Sequence, residues 1–162
     1  MRLLASTDIA LRVLMLLGRQ KPGQNVNVKQ IANQLGGLSR NHLHKIVQDL
    51  AAFGILRTVR GGGGGVSLAK PLSDIRLGAL VRALETDQAI VECFREDGGE
   101  CVLDPGCRLR GMLRRARECF YESLDEHTLA DCAAGPWFAS IDKLAPKASK
   151  RQRLTASRSG LN

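Results

Sequence analysis

The sequence predicts a mainly α-helical protein with one small β-hairpin, and three observations carry that prediction. Apolar residues recur at three- and four-residue intervals over five separate stretches between residues 9 and 124. Between the third and fourth stretches lie two short β-prone runs, Ile55–Arg60 and Val66–Leu68, around the unbroken glycines 61–65. The stretches are divided by Gly, Pro, Ser and Asn, which favour turns and helix caps. With 162 residues the chain is long enough to bury a real core. Its pattern divides into residues 1–72, residues 73–140 and a tail at 141–162.

In the first helix Ile9, Ala10, Val13, Leu14 and Leu17 share a face. Thr7 is its expected cap, and Asp8 on the first turn complements the positive end of the helix dipole. Gly18–Gly23, with Pro22, end it. Asn27 caps a second, short helix with Val28, Ile31, Ala32 and Leu35 inward. Gly36 and Gly37 form a turn, and Ser39 caps a third helix with Leu43, Ile46, Val47 and Leu50 inward. Arg40, Asn41, His42, His44, Lys45 and Gln48 are left outward, a basic and amide-rich face at the helix start.

Helix, tight glycine turn, helix is the order of a DNA-binding helix-turn-helix, and charged outward faces that are only solvated look the same. The β-hairpin that follows makes it a winged helix. Its glycine tip can approach a sugar–phosphate backbone, and Arg60 at its root can enter a minor groove. A nucleotide-binding loop would need a Lys-Ser/Thr pair opening a helix, whereas here Val66 opens a strand. On these grounds Ser39, Arg40, Asn41, His42 and Lys45 are expected in the major groove or on its phosphates. His42 and His44 are equally open to a plain surface role.

Beyond Pro71, a fourth helix is expected from Ser73 or Asp74, with Ile75, Leu77, Leu80, Val81 and Leu84 on one side. A long fifth helix spans about Arg108 to Leu124. Leu109, Met112, Leu113, Ala116, Phe120 and Leu124 line one side, and Arg108, Arg110, Arg114, Arg115 and Arg117 occupy the rest. Such a helix covers either a core or a second copy of the chain, and a two-fold dimer suits the inverted repeats that winged-helix pairs bind. Cys119 within it is expected to pack. Thr128–Asp131 opens a short capped helix holding Cys132, also expected to be structural.

Between the fourth and fifth helices lies C-x7-C-x5-C: Cys93, Cys101 and Cys107, separated by Asp97, Gly98, Gly99, Asp104, Pro105 and Gly106. That composition favours irregular backbone, which can wrap three thiolates around one centre. Thiolates are soft ligands suited to zinc or an iron–sulfur cluster. The alternatives are a disulfide between two of them, acting as a redox switch, or ordinary thiols. Five cysteines is an odd number, and the N-terminal apolar stretch is broken by Asp8 and Arg12. Both features argue for a reducing cytoplasm and against a secretory signal. No apolar run reaches membrane-spanning length.

The formal net charge is +8 and the pI about 9.7, which points to an anionic partner. Six basic residues and no acids follow Asp142 (Lys143, Lys147, Lys150, Arg151, Arg153, Arg158). This tail is expected to be disordered and to add non-specific, salt-sensitive attraction to DNA. No carboxylate pair, Ser/His/Asp arrangement or nucleotide loop suggests an enzyme.

Taken together, these residues resemble the Rrf-type winged-helix regulators from Met1 to about Ala133. The likeness rests on Thr7–Leu14, Ser39–Leu43, Val59-Arg60-Gly61 with its glycine wing, the cysteine triad, and Leu124–Asp131. Within the family it is most similar to the nitric-oxide-sensing NsrR branch. The resemblance implies a homodimeric cytoplasmic repressor, nucleoid-associated when bound to double-stranded DNA at an inverted repeat. It implies a 4Fe–4S cluster (2Fe–2S being the other form) held by Cys93, Cys101, Cys107 and, from the second subunit, Asp8. Nitrosylation of the cluster would release DNA and derepress nitric-oxide detoxification or denitrification genes. The IscR branch uses a histidine three residues after the last cysteine, where this chain has Arg110, which cannot ligate. The gap from Cys93 to Cys101 is like that of the iron-responsive RirA branch, so iron sensing stands beside nitric-oxide sensing.

Overall fold

Helix α1 runs Ala5–Leu17, and the spacing of its apolar residues explains why: Ala10, Val13, Leu14 and Leu17 are all buried. The computed structural model describes residues 2–86, 89–103 and 106–135. The basic tail, and Asp104 and Pro105 of the cysteine loop, lie outside the described residues. Chain proximity divides the protein into two units, one formed by Arg12–Ala69, the other by the segment up to Leu11 with Lys70–Cys132.

In the Arg12–Ala69 unit, Asn27 caps α2 (Val28–Gln34) as expected. Its side chain accepts the Lys29 N–H at 2.8 Å, while Gln30 Oε1 accepts the Asn27 N–H at 3.2 Å. Gly36 and Gly37 turn the chain with φ of +88° and +78°, a region that only glycine enters at no steric cost. Helix α3 (Arg40–Ala52) buries Leu43, Ile46, Val47 and Leu50, the stripe its periodicity predicts. Ser39 occupies the N-cap position, but its side chain makes no cap hydrogen bond, so the expected capping role is not realised. Strands β1 (Leu56–Val59) and β2 (Gly65–Leu68) pair antiparallel, from Leu56↔Leu68 to Val59↔Gly65. Val26 adds a rung to β2 that the sequence did not reveal, exchanging two 2.9 Å backbone hydrogen bonds with Val66.

The other unit corrects two expectations about helix starts. Thr7 does not cap α1; it sits inside the first turns, fully buried, and its hydroxyl donates to the Glu85 carboxylate. A buried hydroxyl must find a partner, and the nearest one here comes from a distant helix rather than from its own backbone. Similarly, Ser73 and Asp74 lie in a 3-10 turn (Leu72–Asp74), and α4 begins only at Leu77, running to Leu84. The delay has a cause. Ile75 and Arg76 are extended and pair with the segment before α6 (Leu129–Cys132): Leu129 N–H donates to the Ile75 carbonyl at 2.9 Å, and Leu77 N–H to the His127 carbonyl at 3.1 Å.

Helix α5 (Arg108–Asp125) packs against α4, but not through the stripe the sequence suggests. Tyr121 is its only buried residue among those described, and Leu109 and Met112 of the expected stripe stay 57% and 60% exposed. Asp125 reaches back to α4, where its Oδ1 accepts the Ala79 N–H at 2.7 Å and so serves as a cap supplied by another helix. Thr128 and Asp131 close the start of α6 as predicted, Asp131 accepting both the Thr128 N–H (2.6 Å) and its hydroxyl (2.9 Å). Among the described residues no helix is long and apolar enough to cross a membrane.

Candidate DNA-reading surface and cysteine loop

On α3 the buried stripe leaves the opposite side to polar groups. Ser39, Arg40, Asn41, His42, His44, Lys45 and Gln48 are all exposed. At 100° per residue, Asn41, Lys45 and Gln48 fall opposite the centre of the buried stripe, with Arg40 and His42 on its flanks. An exposed amide followed one turn later by an exposed ammonium offers what a major groove requires, bidentate donor–acceptor pairing and phosphate charge. Ser39, free of a cap bond, presents its hydroxyl at the same end. Arg60 is exposed directly after β1, where the glycine loop begins, and that loop is closed by Gly64 N–H donating to the Gly61 carbonyl at 2.9 Å. Arg57, exposed on β1 of the same wing, is a further cation that the sequence reading did not assign to DNA.

The three cysteines of the loop lie in the other unit. Cys93 is in a 3-10 turn (Glu92–Phe94), Cys101 in irregular chain, and Cys107 at the N-cap position of α5. All three are half-buried free thiols. Local bonds shape the loop between them. Asp97 accepts the Gly99 N–H at 3.0 Å and pairs with Arg95 at 2.6 Å, and these two contacts hold its carboxyl below the usual range. The Glu92 side chain accepts the Glu100 N–H at 3.2 Å. Beside Cys93, the Phe94 ring carries the Arg117 guanidinium 4.8 Å from its centre. Arg117 shares Glu118 with Arg82, whose 2.6 Å contact is the main cause of the lowered Glu118 pKa, and Arg82 in turn lies over Tyr121 at 4.3 Å.

Asp8 stands exposed on the first turn of α1, in the same unit as the loop. Among the described residues, no three Cys, His, Asp or Glu side chains stand together closely enough to hold a metal ion. The structure thus places Cys93, Cys101 and Cys107 on one loop without converging them as a group, and Asp8 does not complete one. The donor set itself fits an iron–sulfur cluster: three free thiols within fifteen residues, none deeply buried, on a glycine-containing loop.

Cys119 and Cys132 fare differently. Cys119, expected to pack, is exposed, because two residues along a helix turn it some 200° away from buried Tyr121. Cys132 is half-buried, and burial, followed by the charge of Asp131, pushes its thiol pKa up. Glu85 is the polar residue that sequence reasoning passed over, and Thr7 was read as a cap and not as its buried partner. Position 85 falls four residues after buried Val81, so the apolar period of α4 already marked it as an inward carboxylate.

A helix-turn-helix with a polar reading face and a glycine-tipped β-wing defines a winged-helix DNA-binding transcriptional regulator. The chain belongs to the Rrf2 family, described as iron-dependent transcriptional regulators, whose model matches residues 3–135. It is 46% identical to the HTH-type transcriptional regulator NsrR of Geobacillus kaustophilus over 131 residues, 81% of this chain and 88% of that one. It is 41% identical to NsrR of Bacillus subtilis over 131 residues, 81% of this chain and 89% of that one. Among solved structures, CymR, the global cysteine regulator of B. subtilis, aligns with a TM-score of 0.64 at 26% identity, covering 82% of this chain and 96% of its own. IscR of T. potens shares the fold, with a TM-score of 0.63 at 23% identity over 90% of this chain and 93% of its own. Members of this family regulate transcription and are not enzymes.

Proposed function

We propose that this protein is a homodimeric repressor that senses nitric oxide through a 4Fe–4S cluster and controls genes of nitric-oxide detoxification or denitrification. Cys93, Cys101 and Cys107 would hold the cluster, with Asp8 from a second copy of the chain as the fourth ligand. The observation that carries this reading is the free thiol triad on a single loop, in a chain 46% identical to an NsrR. When bound, the cluster supplies a reactive iron centre that nitric oxide can attack. Asp8 would contribute a hard oxygen donor among soft sulfurs, and so the most easily lost of the four ligands.

The chain's own residues then connect ligand to DNA. Helix α1 is continuous from Ala5 to Leu17, with Asp8 near its start and buried Val13, Leu14 and Leu17 beyond. With a cluster bound, loss of the Asp8 ligand would free that start and shift the balance between binding-competent and incompetent dimers. Ser39, Arg40, Asn41, His42 and Lys45 contact the major groove or its phosphates, and Arg60 the minor groove, at an inverted repeat. In this reading residues 1–72 serve as the DNA-binding domain, 73–140 as the cluster loop and dimer helices, and 141–162 as a basic arm. Leu109 and Met112, both exposed and one turn apart on α5, supply an apolar face for the second copy.

Two other readings have support of their own. The family description as iron-dependent favours an iron-responsive repressor. The likeness to CymR, solved from Staphylococcus aureus in an oxidised form, favours a metal-free thiol switch. Native mass spectrometry of anaerobically purified protein, with and without nitric oxide and operator DNA, separates the three. A dimer carrying two clusters, eight irons and eight sulfides in all, modified by nitric oxide as it leaves DNA, is the expected outcome. Operator release on iron depletion alone supports iron sensing. Iron-free protein that still binds and releases its operator would overturn the cluster.

A further inference from the structure

Glu85 is a carboxylate at the end of α4, only 7% exposed, and what it holds is the beginning of α1. Its Oε1 accepts the Leu4 N–H at 2.9 Å and the hydroxyl of fully buried Thr7. The Leu4 carbonyl in turn accepts the Asp8 N–H at 3.1 Å. Asp8 is therefore one backbone hydrogen bond from the Glu85 clamp and one residue from Thr7. All four residues lie in the unit that also carries the cysteine loop.

We propose that Glu85 is a positioning residue: by clamping Leu4 and Thr7 it fixes the first turn of α1, and so the direction in which Asp8 projects. A helix start normally frays, because its first N–H groups lack partners within the helix. A carboxylate that takes one of those N–H groups and a buried hydroxyl at once removes the fraying. Removing it leaves two donors without their acceptor, and a buried hydroxyl without a partner is costly. The clamp explains why a carboxylate occupies an otherwise apolar stripe of α4, and why Thr7 is buried instead of capping. The inference rests on Asp8 acting as the oxygen ligand, but the clamp itself can be tested without any cluster.

Hydrogen exchange of the cluster-free, full-length chain is the first measurement, made on the wild type, Glu85→Ala, Glu85→Gln and Thr7→Val. Glu85→Ala should speed exchange across Leu4–Asp8 by roughly tenfold while leaving Leu43–Leu50 of α3 unchanged. Glu85→Gln keeps a carbonyl acceptor and should restore most of the protection. Thr7→Val, close in shape and able to fold, should fall between the two. The second measurement is the rate of cluster loss from reconstituted protein, expected to rise severalfold in Glu85→Ala and to recover in Glu85→Gln.

Wild-type exchange at Leu4–Asp8 in Glu85→Ala overturns the clamp. Faster exchange with unaltered cluster retention, in protein whose wild type does load a cluster, overturns the positioning role. If the wild type loads no cluster, the functional reading above and the positioning role fail together, and the exchange data then judge the clamp alone.

Discussion

Gly78 stands where α4 meets α5, and a Cβ there would lie 2.1 Å from the Tyr121 carbonyl oxygen and 2.5 Å from Asp125 Cγ. The backbone oxygen cannot move aside without breaking its own helix. Gly78→Ala is expected to destabilise the fold by about 1–3 kcal/mol or more, read as a lower urea midpoint. On the reading face a different energy is at stake. Asn41→Ala should weaken operator binding by about 1–3 kcal/mol, roughly five- to 150-fold, and relax discrimination at one base position. Arg60→Ala should weaken binding too, and an unchanged affinity in a titration at fixed salt removes the wing from the interface. Several residue roles were legible because they depend on neighbours in sequence: Asn27 as a cap, Leu43, Ile46, Val47 and Leu50 as core. Thr7 and Glu85 were not, because their meeting joins positions 78 apart in the chain.

At the scale of elements, the start of α4 and the closure of α6 form one arrangement. Ile75 and Arg76 stay extended to pair with Thr128 and Leu129, and Asp131 secures Thr128. The Thr128 N–H, then the Thr128 hydroxyl, hold the Asp131 carboxyl below its ordinary value of 3.8. A carboxyl whose pKa falls on folding adds stability above its unfolded value and loses it as the pH drops through the folded one. The α6 closure should therefore be insensitive to pH near neutrality and loosen only in acid, below about pH 4. Hydrogen exchange at Leu129 against pH checks this, and in Asp131→Asn the acid step assigned to this residue should vanish. Periodicity located α4 and α5 in the sequence. It did not place the first residue of α4, because the competing strand-like pairing belongs to a segment some fifty residues away.

At the scale of the whole molecule, association and net charge are what govern binding. Under the proposed dimer, Met112→Glu on the exposed face of α5 should shift sedimentation from dimer towards monomer while leaving the helical circular dichroism signal intact. An unchanged dimer would place the subunit contact elsewhere. The six cations after Asp142 should steepen the salt dependence of DNA binding. Ending the chain at residue 140 is expected to lower the slope of log K against log salt by up to about 5, at roughly 0.9 per phosphate neutralised. An unaltered slope would mean that the tail leaves DNA alone.

By itself the sequence determined the helical periodicities, the glycine turn, the wing and the spacing of the thiols. Each is written in residues within a few positions of one another, where local sterics and hydrogen bonding decide. The tertiary structure decided which side of α5 is covered: Tyr121 lies under α4, while Leu109 and Met112 stay open, since two amphipathic faces on one helix look alike until a neighbour chooses between them. It also decided that Thr7 turns inward to Glu85, because a buried hydroxyl takes whatever acceptor the folded chain brings to it.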